Sequence, residues 1–427
     1  MPRLTRYLSA QVRRLLLARV GKQGIDLTQL DRVPESLSWP LQRNGVDPVE
    51  RLDQLRDEAP VAKLTSFLGM TVWVVSGQAE AREVLAETTG YSNDIRPFVG
   101  ASGSTTDGDI GGLGFTDPPD HTRLRKLLTP EFTMRRLDRL RPRIAEIVEQ
   151  QLDEMTRLGA TGDPVDVVPT FAFPVPFLVI CELLGLPDED RETFRQLGSA
   201  RFDVSSGGSG VFGAVSGSRR FLMEATRKQR TDPGPGLIGQ IIREHGDEIN
   251  DFDLAGLADG VFTGGLETSA SMLALGTAVL LDHPEDYRAL AEDPSAVDRT
   301  VEELLRYLSV VQIAFPRFPL RDIEVGGKTV RKGDVVICQL AGANRDGRTG
   351  GELGRFDAHR TPTSHLAFGH GFHRCVGAEL ARMELRMAFP ALAQRFPDMS
   401  LAVPGDDLEY RALSIVYGVE SVPVRLS

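Results

Sequence analysis

The chain has 427 residues, 41% hydrophobic and 26% charged, with a formal net charge of −11. This is ordinary globular composition, long enough by length alone for two or three domains. The acidic balance argues against a nucleic-acid partner, whose phosphates need a basic surface. Three cysteines, Cys181, Cys338 and Cys375, form no disulfide framework and place the chain in a reducing cytoplasm.

Residues 1–24 carry six Arg or Lys and no acid. "YLSAQVRRLLLARV" has the pattern of a short basic amphipathic helix but lacks the apolar region and cleavage site of a signal peptide. We read 1–32 as a solvated basic extension. Weak membrane-surface or protein docking by residues 1–24 is the second reading. The remainder, 33–427, reads as one domain. No apolar run of about 18 residues stands out, so no transmembrane anchor is expected.

"MTVWVVSG" (70–77) reads as a strand. Residues 100–114 are rich in Gly, Ser, Thr and Asp, as are 204–218, and both read as long binding or lid loops. "DPPDHTRLRKLL" (117–128) places His121 and Arg125 four apart on one helical face, where two donors can grip one carboxylate. A helix is expected over 136–158. A long helix is expected from Asn250 or Asp251, one of which caps it, to the stop at Pro284. Near its middle stands "GGLETS" (264–269). Two adjacent glycines cost a helix about 1 kcal/mol each, so the bare patch of Gly264 and Gly265 near Val261 needs a reason. Close packing of another helix is one; access for a flat ligand is another. Glu267 and Thr268 then offer an acid and a hydroxyl beside it.

"EELLR" on the helix expected at 296–308 sets Glu303 and Arg306 three apart, able to pair. "IEVGGKTVRKGDVVICQ" (323–339) reads as a hairpin turning at "VGGK", and "SVPVRL" (421–426) as a strand. "FGHGFHRCVG" (368–377) frames Cys375 with three glycines just before a helical run. That junction favours an anion, and a thiolate is a strong metal ligand. Zinc would need three or four nearby ligands and an iron–sulfur cluster about four cysteines. His370 and His373 add two candidates, but no second cluster follows in the sequence. A haem iron needs one axial thiolate, which the loop supplies.

"FGHGFHRCVG" resembles the haem-thiolate signature of the cytochrome P450 family at every fixed position. "GGLETS" resembles that family's oxygen-activation motif, with Gly264 where Ala is common. The resemblance runs from about residue 45 to the C-terminus. It implies a mainly α fold: a triangular helical domain with small β-sheets, the haem between the long central helix and the helix after the Cys loop. It implies haem b (iron protoporphyrin IX) ligated by Cys375, with Phe368, Gly369, Gly377, Gly264 and Gly265 around it. His121, Arg125, Arg317 and His373 would hold the propionates, and Glu267 and Thr268 would deliver protons. A buried Glu303–Arg306 pair would be joined by a later arginine, for which "GRFDAHR" offers Arg355; the proline common after "ANRD" is replaced by "GRTGGEL". Val261, Val311, Ile313, Ala314, Phe315 and Ile415 would line the substrate site.

The implied activity is that of the soluble bacterial members: a monooxygenase using O2, hydroxylating or epoxidising a mainly apolar small molecule. Terpenoid, steroid, lipid and secondary-metabolite compounds are the substrate classes. Electrons would come from a separate ferredoxin or flavodoxin and its reductase, with NAD(P)H used only through them. A peroxide-using relative is one alternative, although such relatives often replace the acid–alcohol pair that stands intact here. A non-catalytic haem-binding or partner-recruiting relative is the other.

Overall fold

The structure is a computed structural model that describes residues 35–67, 70–94, 113–202 and 215–426. The basic extension expected at 1–32, and most of the loops expected at 100–114 and 204–218, lie outside them. The helices that build the core are α1 (Asp120–Leu128), α2 (Arg141–Leu158), α3 (Pro174–Leu184), α4 (Val215–Thr231), α5 (Asp251–Leu281), α6 (Pro284–Glu292), α7 (Pro294–Leu308) and α8 (Ala378–Arg395). Strands are short and form sheets of two or three.

α5 is the central element and packs against α3, α4, α7 and α8. Asn250 is its N-cap, accepting the Asp253 N–H through Oδ1 at 2.7 Å. Asp251 and Asp253 add favourable charge to the first turn. An 18-residue window of α5 is apolar enough to cross a bilayer, yet 67% of it is buried inside the protein. Its apolarity therefore serves the core: Phe262 lies 4.2 Å from the Phe194 ring, and nearly every residue from Ser269 to Leu280 is buried.

The helix expected at 136–158 is divided. A turn at Met134–Leu137 and a 3₁₀ segment at Asp138–Leu140 precede α2. Pro142, which lacks an N–H to donate backward, sits in the first turn of α2 and marks the break.

The hairpin expected at 323–339 is shorter than the sequence suggests. Ile323–Val325 and Lys328–Val330 pair antiparallel around Gly326 and Gly327, which take φ of +51° and +70°. Val335–Cys338 leaves them and pairs in parallel with Met70–Val75, whose other neighbour is Val61–Phe67. This three-stranded sheet carries a second, smaller core containing Trp73, Val336, Cys338, Leu85 and Leu366. Leu366 begins the approach to the Cys loop, so the sheet supports that loop from below.

Candidate functional site

Cys375 is accessible, whereas Cys181 and Cys338 are buried. Its loop is held by backbone hydrogen bonds: Cys375 N donates to Phe368 O at 2.9 Å, Arg374 N to Gly371 O at 3.0 Å and Gly369 N to Leu366 O at 2.8 Å. Gly371 takes φ of +71°, and a Cβ there would stand 2.2 Å from the Leu85 carbonyl oxygen. Only glycine fits that position. Gly377 is the N-cap residue of α8 and its N–H bonds the Cys375 sulfur. Although the residue is accessible, the protein gathered round the sulfur disfavours its charged form and pushes the thiol up, while that N–H, Arg125, Arg374 and Arg382 favour the thiolate. Among the described residues no group of three His, Cys, Asp or Glu is placed to share a metal ion, so the loop offers one thiolate.

Beside the loop stands a cluster of two arginines and two histidines. His121 of α1 is buried, and its ring lies 4.2 Å from that of His373. Arg317 is buried and donates Nη1 to Phe315 O at 3.0 Å. Arg125 is half-buried. His121 Nε2, His373 Nε2 and Arg317 Nε are buried and have no protein partner. Burial, with Arg317, His121 and Arg125 alongside, pushes His373 down to about 3. Burial and the Arg125 charge lower His121. Such a gathering of buried polar groups without partners is costly, about 1–3 kcal/mol per unpaired group, and a ligand bearing carboxyl groups would satisfy it.

Glu303 and Arg306 of α7 form a buried bidentate pair, Nε–Oε2 at 2.7 Å and Nη2–Oε1 at 2.8 Å. Arg306 then donates to three carbonyls of the following coil: Asn344 (2.9 Å), Leu353 (2.8 Å) and Arg355 (3.1 Å). The third arginine is not the expected one. Arg355 is exposed and contributes its carbonyl, whereas Arg360 donates Nε to Glu303 Oε1 at 3.2 Å. Upstream of Arg360, "GRTGGEL" turns at Gly350 and Gly351, with φ of +108° and +82°. Asp346 caps the 3₁₀ turn Gly347–Thr349 just before it, accepting the Arg348 N–H at 3.0 Å. Asn344 carries the frame onward, accepting Leu366 N at 2.6 Å just before the Cys loop.

The two glycines of α5 serve different purposes. A Cβ at Gly264 would meet open space, while one at Gly265 would come within 3.0 Å of Ile180 Cδ1. Gly265 is thus a close-packing position against α3, and of the pair only Gly264 presents bare backbone outward. Thr268 Oγ1 donates to Gly264 O at 2.6 Å. Glu267, about 100° further round the helix, turns to another side. Its Oε1 accepts from Arg411 Nη1 at 3.2 Å, and Arg411 Nε bonds Glu420 at 2.9 Å. The two line a cleft of about 50 Å³ with Val168, Phe173, Ser271 and Val419. Arg411 is 144 residues from Glu267 in sequence, and no spacing pattern could have joined them.

Of the expected substrate positions, Phe315 and Ile415 are exposed large hydrophobics, at 47% and 52%. Phe315 meets Phe115 edge-on at 4.7 Å. Val311 bridges Val416 and Ile313 bridges Gln339. Val311 and Ala314 pack on the smaller core and Val261 on the main one.

The cytochrome P450 family model matches residues 39–210 and 236–406. The chain belongs to the cytochrome P450 family. It is 38% identical to "Cytochrome P450 FAS1" of Rhodococcoides fascians over 393 residues, 90% of this chain and 98% of that one. It is 34% identical to "6-deoxyerythronolide B hydroxylase" of Saccharopolyspora erythraea, over 89% of this chain and 96% of that one. Among solved structures, P450 StaH from glycopeptide antibiotic A47934 biosynthesis superposes with a TM-score of 0.81 at 38% identity. That match covers 90% of this chain and 99% of that one. The architecture is the P450 fold, and the chain is a P450 monooxygenase by family.

The family implies haem, and the residues fit it. The single accessible thiolate suits the iron. The unpartnered Nε2 of His121, Nε2 of His373 and Nε of Arg317, with Arg125, suit its two carboxylates. Arg125→Ala is therefore expected to purify with less haem per protein. A charge-assisted hydrogen bond is worth about 1.5–3 kcal/mol, so haem should also pass to a competing acceptor about tenfold faster. Haem occupancy and loss rate equal to wild type would remove Arg125 from the propionate site.

Proposed function

We propose that this P450 is a cytoplasmic monooxygenase of secondary metabolism that hydroxylates or epoxidises a mainly apolar small molecule. In this reading a separate ferredoxin or flavodoxin, with its reductase, supplies the electrons. The observation that carries the proposal is the accessible Cys375 beside three buried nitrogens that lack partners, a cradle suited to a thiolate-ligated dicarboxylate cofactor. Haem bound there supplies the activation of O2 and the oxidation of the substrate C–H or C=C bond.

The chain's own residues do the rest. His121, Arg125, Arg317 and His373 orient the propionates. Gly264 would leave room for the bound haem, and Thr268 Oγ1, held on the Gly264 carbonyl, would be the hydroxyl at that opening. Glu267 is a proton reservoir reached from the cleft it shares with Arg411. Paired with Arg411, the Glu267 carboxylate would first take a proton from water in the cleft and then return it through water to Thr268 Oγ1, whose hydroxyl would pass on a proton in turn. Exposed Phe315 and Ile415 with Val261 make the apolar lining. The substrate class rests on relatives: StaH belongs to glycopeptide antibiotic biosynthesis, and OxyC is implicated in oxidative C–C coupling during vancomycin biosynthesis. The test is a compound-library screen for the haem spectral shift on substrate binding. Hits should be apolar secondary metabolites. Hits confined to small polar acids would overturn the substrate class.

A further inference from the structure

We propose that Glu302 and Arg382 form a charge clamp that sets the reduction potential of the haem, by fixing the charge beside Phe368 and Cys375. The inference rests on Cys375 being the ligand. Glu302 stands on α7 next to Glu303 but faces a different set of partners. Its Oε1 accepts Arg382 Nε at 2.6 Å, and its Oε2 accepts Arg382 Nη2 at 2.9 Å and His365 Nε2 at 3.0 Å. His365 Nδ1 accepts the Ala367 N–H at 3.2 Å, so its proton is on Nε2 and points at Glu302. Arg382 also holds Glu379 at 3.0 Å. Arg386 lies 3.8 Å from Glu302 and is itself paired with Asp298 at 2.7 Å. One carboxylate thus ties α7, α8 and the chain entering the Cys loop.

The clamp reaches the ligand through Phe368. The Arg382 guanidinium sits 4.7 Å over the Phe368 ring, and Phe368 O receives the Cys375 N–H at 2.9 Å. Although burial opposes it, the hydrogen bonds of Arg382 and His365 hold Glu302 at about 2, so its charge is constant at working pH. Groups outside a metal's ligands tune its potential through hydrogen bonding and local charge. Arg382 withdraws electron density from the thiolate and stabilises the reduced iron; Glu302 offsets it.

The two charges therefore act with opposite signs, which packing alone would not produce. The test is a mediated spectroelectrochemical titration of the haem in the full chain, without substrate, for wild type, Arg382→Gln, Arg382→Lys and Glu302→Gln. The reduced carbon monoxide band is recorded for each, to show that the sulfur ligand is kept. We expect Arg382→Gln to shift the midpoint negative, Glu302→Gln to shift it positive, and Arg382→Lys to stay near wild type. Unchanged midpoints, or shifts of the same sign in Arg382→Gln and Glu302→Gln, would overturn the clamp. Should Glu302→Gln fail to fold, the arginine pair decides: equal midpoints in Arg382→Gln and Arg382→Lys overturn it. Failure of the underlying reading is separate, because it would show as a carbon monoxide band that survives loss of Cys375.

Discussion

Arg306→Ala is expected to yield protein that is largely haem-free and far less stable than wild type. The guanidinium is buried, satisfies both oxygens of Glu303 and donates to the carbonyls of Asn344, Leu353 and Arg355. Its removal takes the bidentate partner from a buried carboxylate, leaving Oε1 with Arg360 and the Asp357 N–H and Oε2 with none among the described residues; breaking a buried pair costs about 3–5 kcal/mol, against a total stability on the order of 5–15 kcal/mol. The damage also travels. The same coil delivers Asn344 to the Leu366 N–H, so the Cys loop loses part of its support. Arg306→Lys should not rescue, because one ammonium cannot serve a carboxylate and three carbonyls together. Chemical unfolding and the haem-to-protein ratio check both points. A wild-type unfolding midpoint in Arg306→Ala would mean the pair is ornamental.

Thr268→Ala is expected to separate electron consumption from product formation. The variant keeps the α5 backbone and removes the hydroxyl that bonds the Gly264 carbonyl, together with the γ-methyl. Substrate should bind and shift the spectrum as before. NAD(P)H should still be consumed through the redox partners, with more of it ending as hydrogen peroxide. Positioned proton transfer contributes about 10²–10⁴-fold in rate, so product per NAD(P)H should fall by roughly tenfold or more. Glu267→Gln keeps the shape and removes the acid, and should slow turnover. The ratio of product to NAD(P)H decides. An unchanged ratio in Thr268→Ala would show that this enzyme moves its protons by another route.

How much of this could be read beforehand depends on sequence distance. The Cys loop and the Asn250 cap are local, and the chain states them in a few adjacent residues. His121 and Arg317 are 196 positions apart, and only the family resemblance joined them to His373. The third arginine was misassigned because it hangs on the path of a coil. The coil passes through a turn at Gly350 and Gly351, and it is Arg360, rather than Arg355, that meets Glu303. Gly264 and Gly265 look equivalent in sequence, yet Ile180 of another helix makes one of them a packing contact. Arg411 and Arg382 gave no local signal, since their meaning lies in what the fold lays beside them.

The central claim is that Cys375 alone ligates the haem iron. The measurement is the absorption spectrum of the reduced protein under carbon monoxide, for wild type, Cys375→Ala, Cys181→Ala and Cys338→Ala. Wild type should show the band for which the family is named. Cys181 and Cys338 are buried in the two cores, so their variants should keep it, and Cys375→Ala should lose it. A band that persists in Cys375→Ala, or vanishes in either of the others while haem stays bound, would contradict the account.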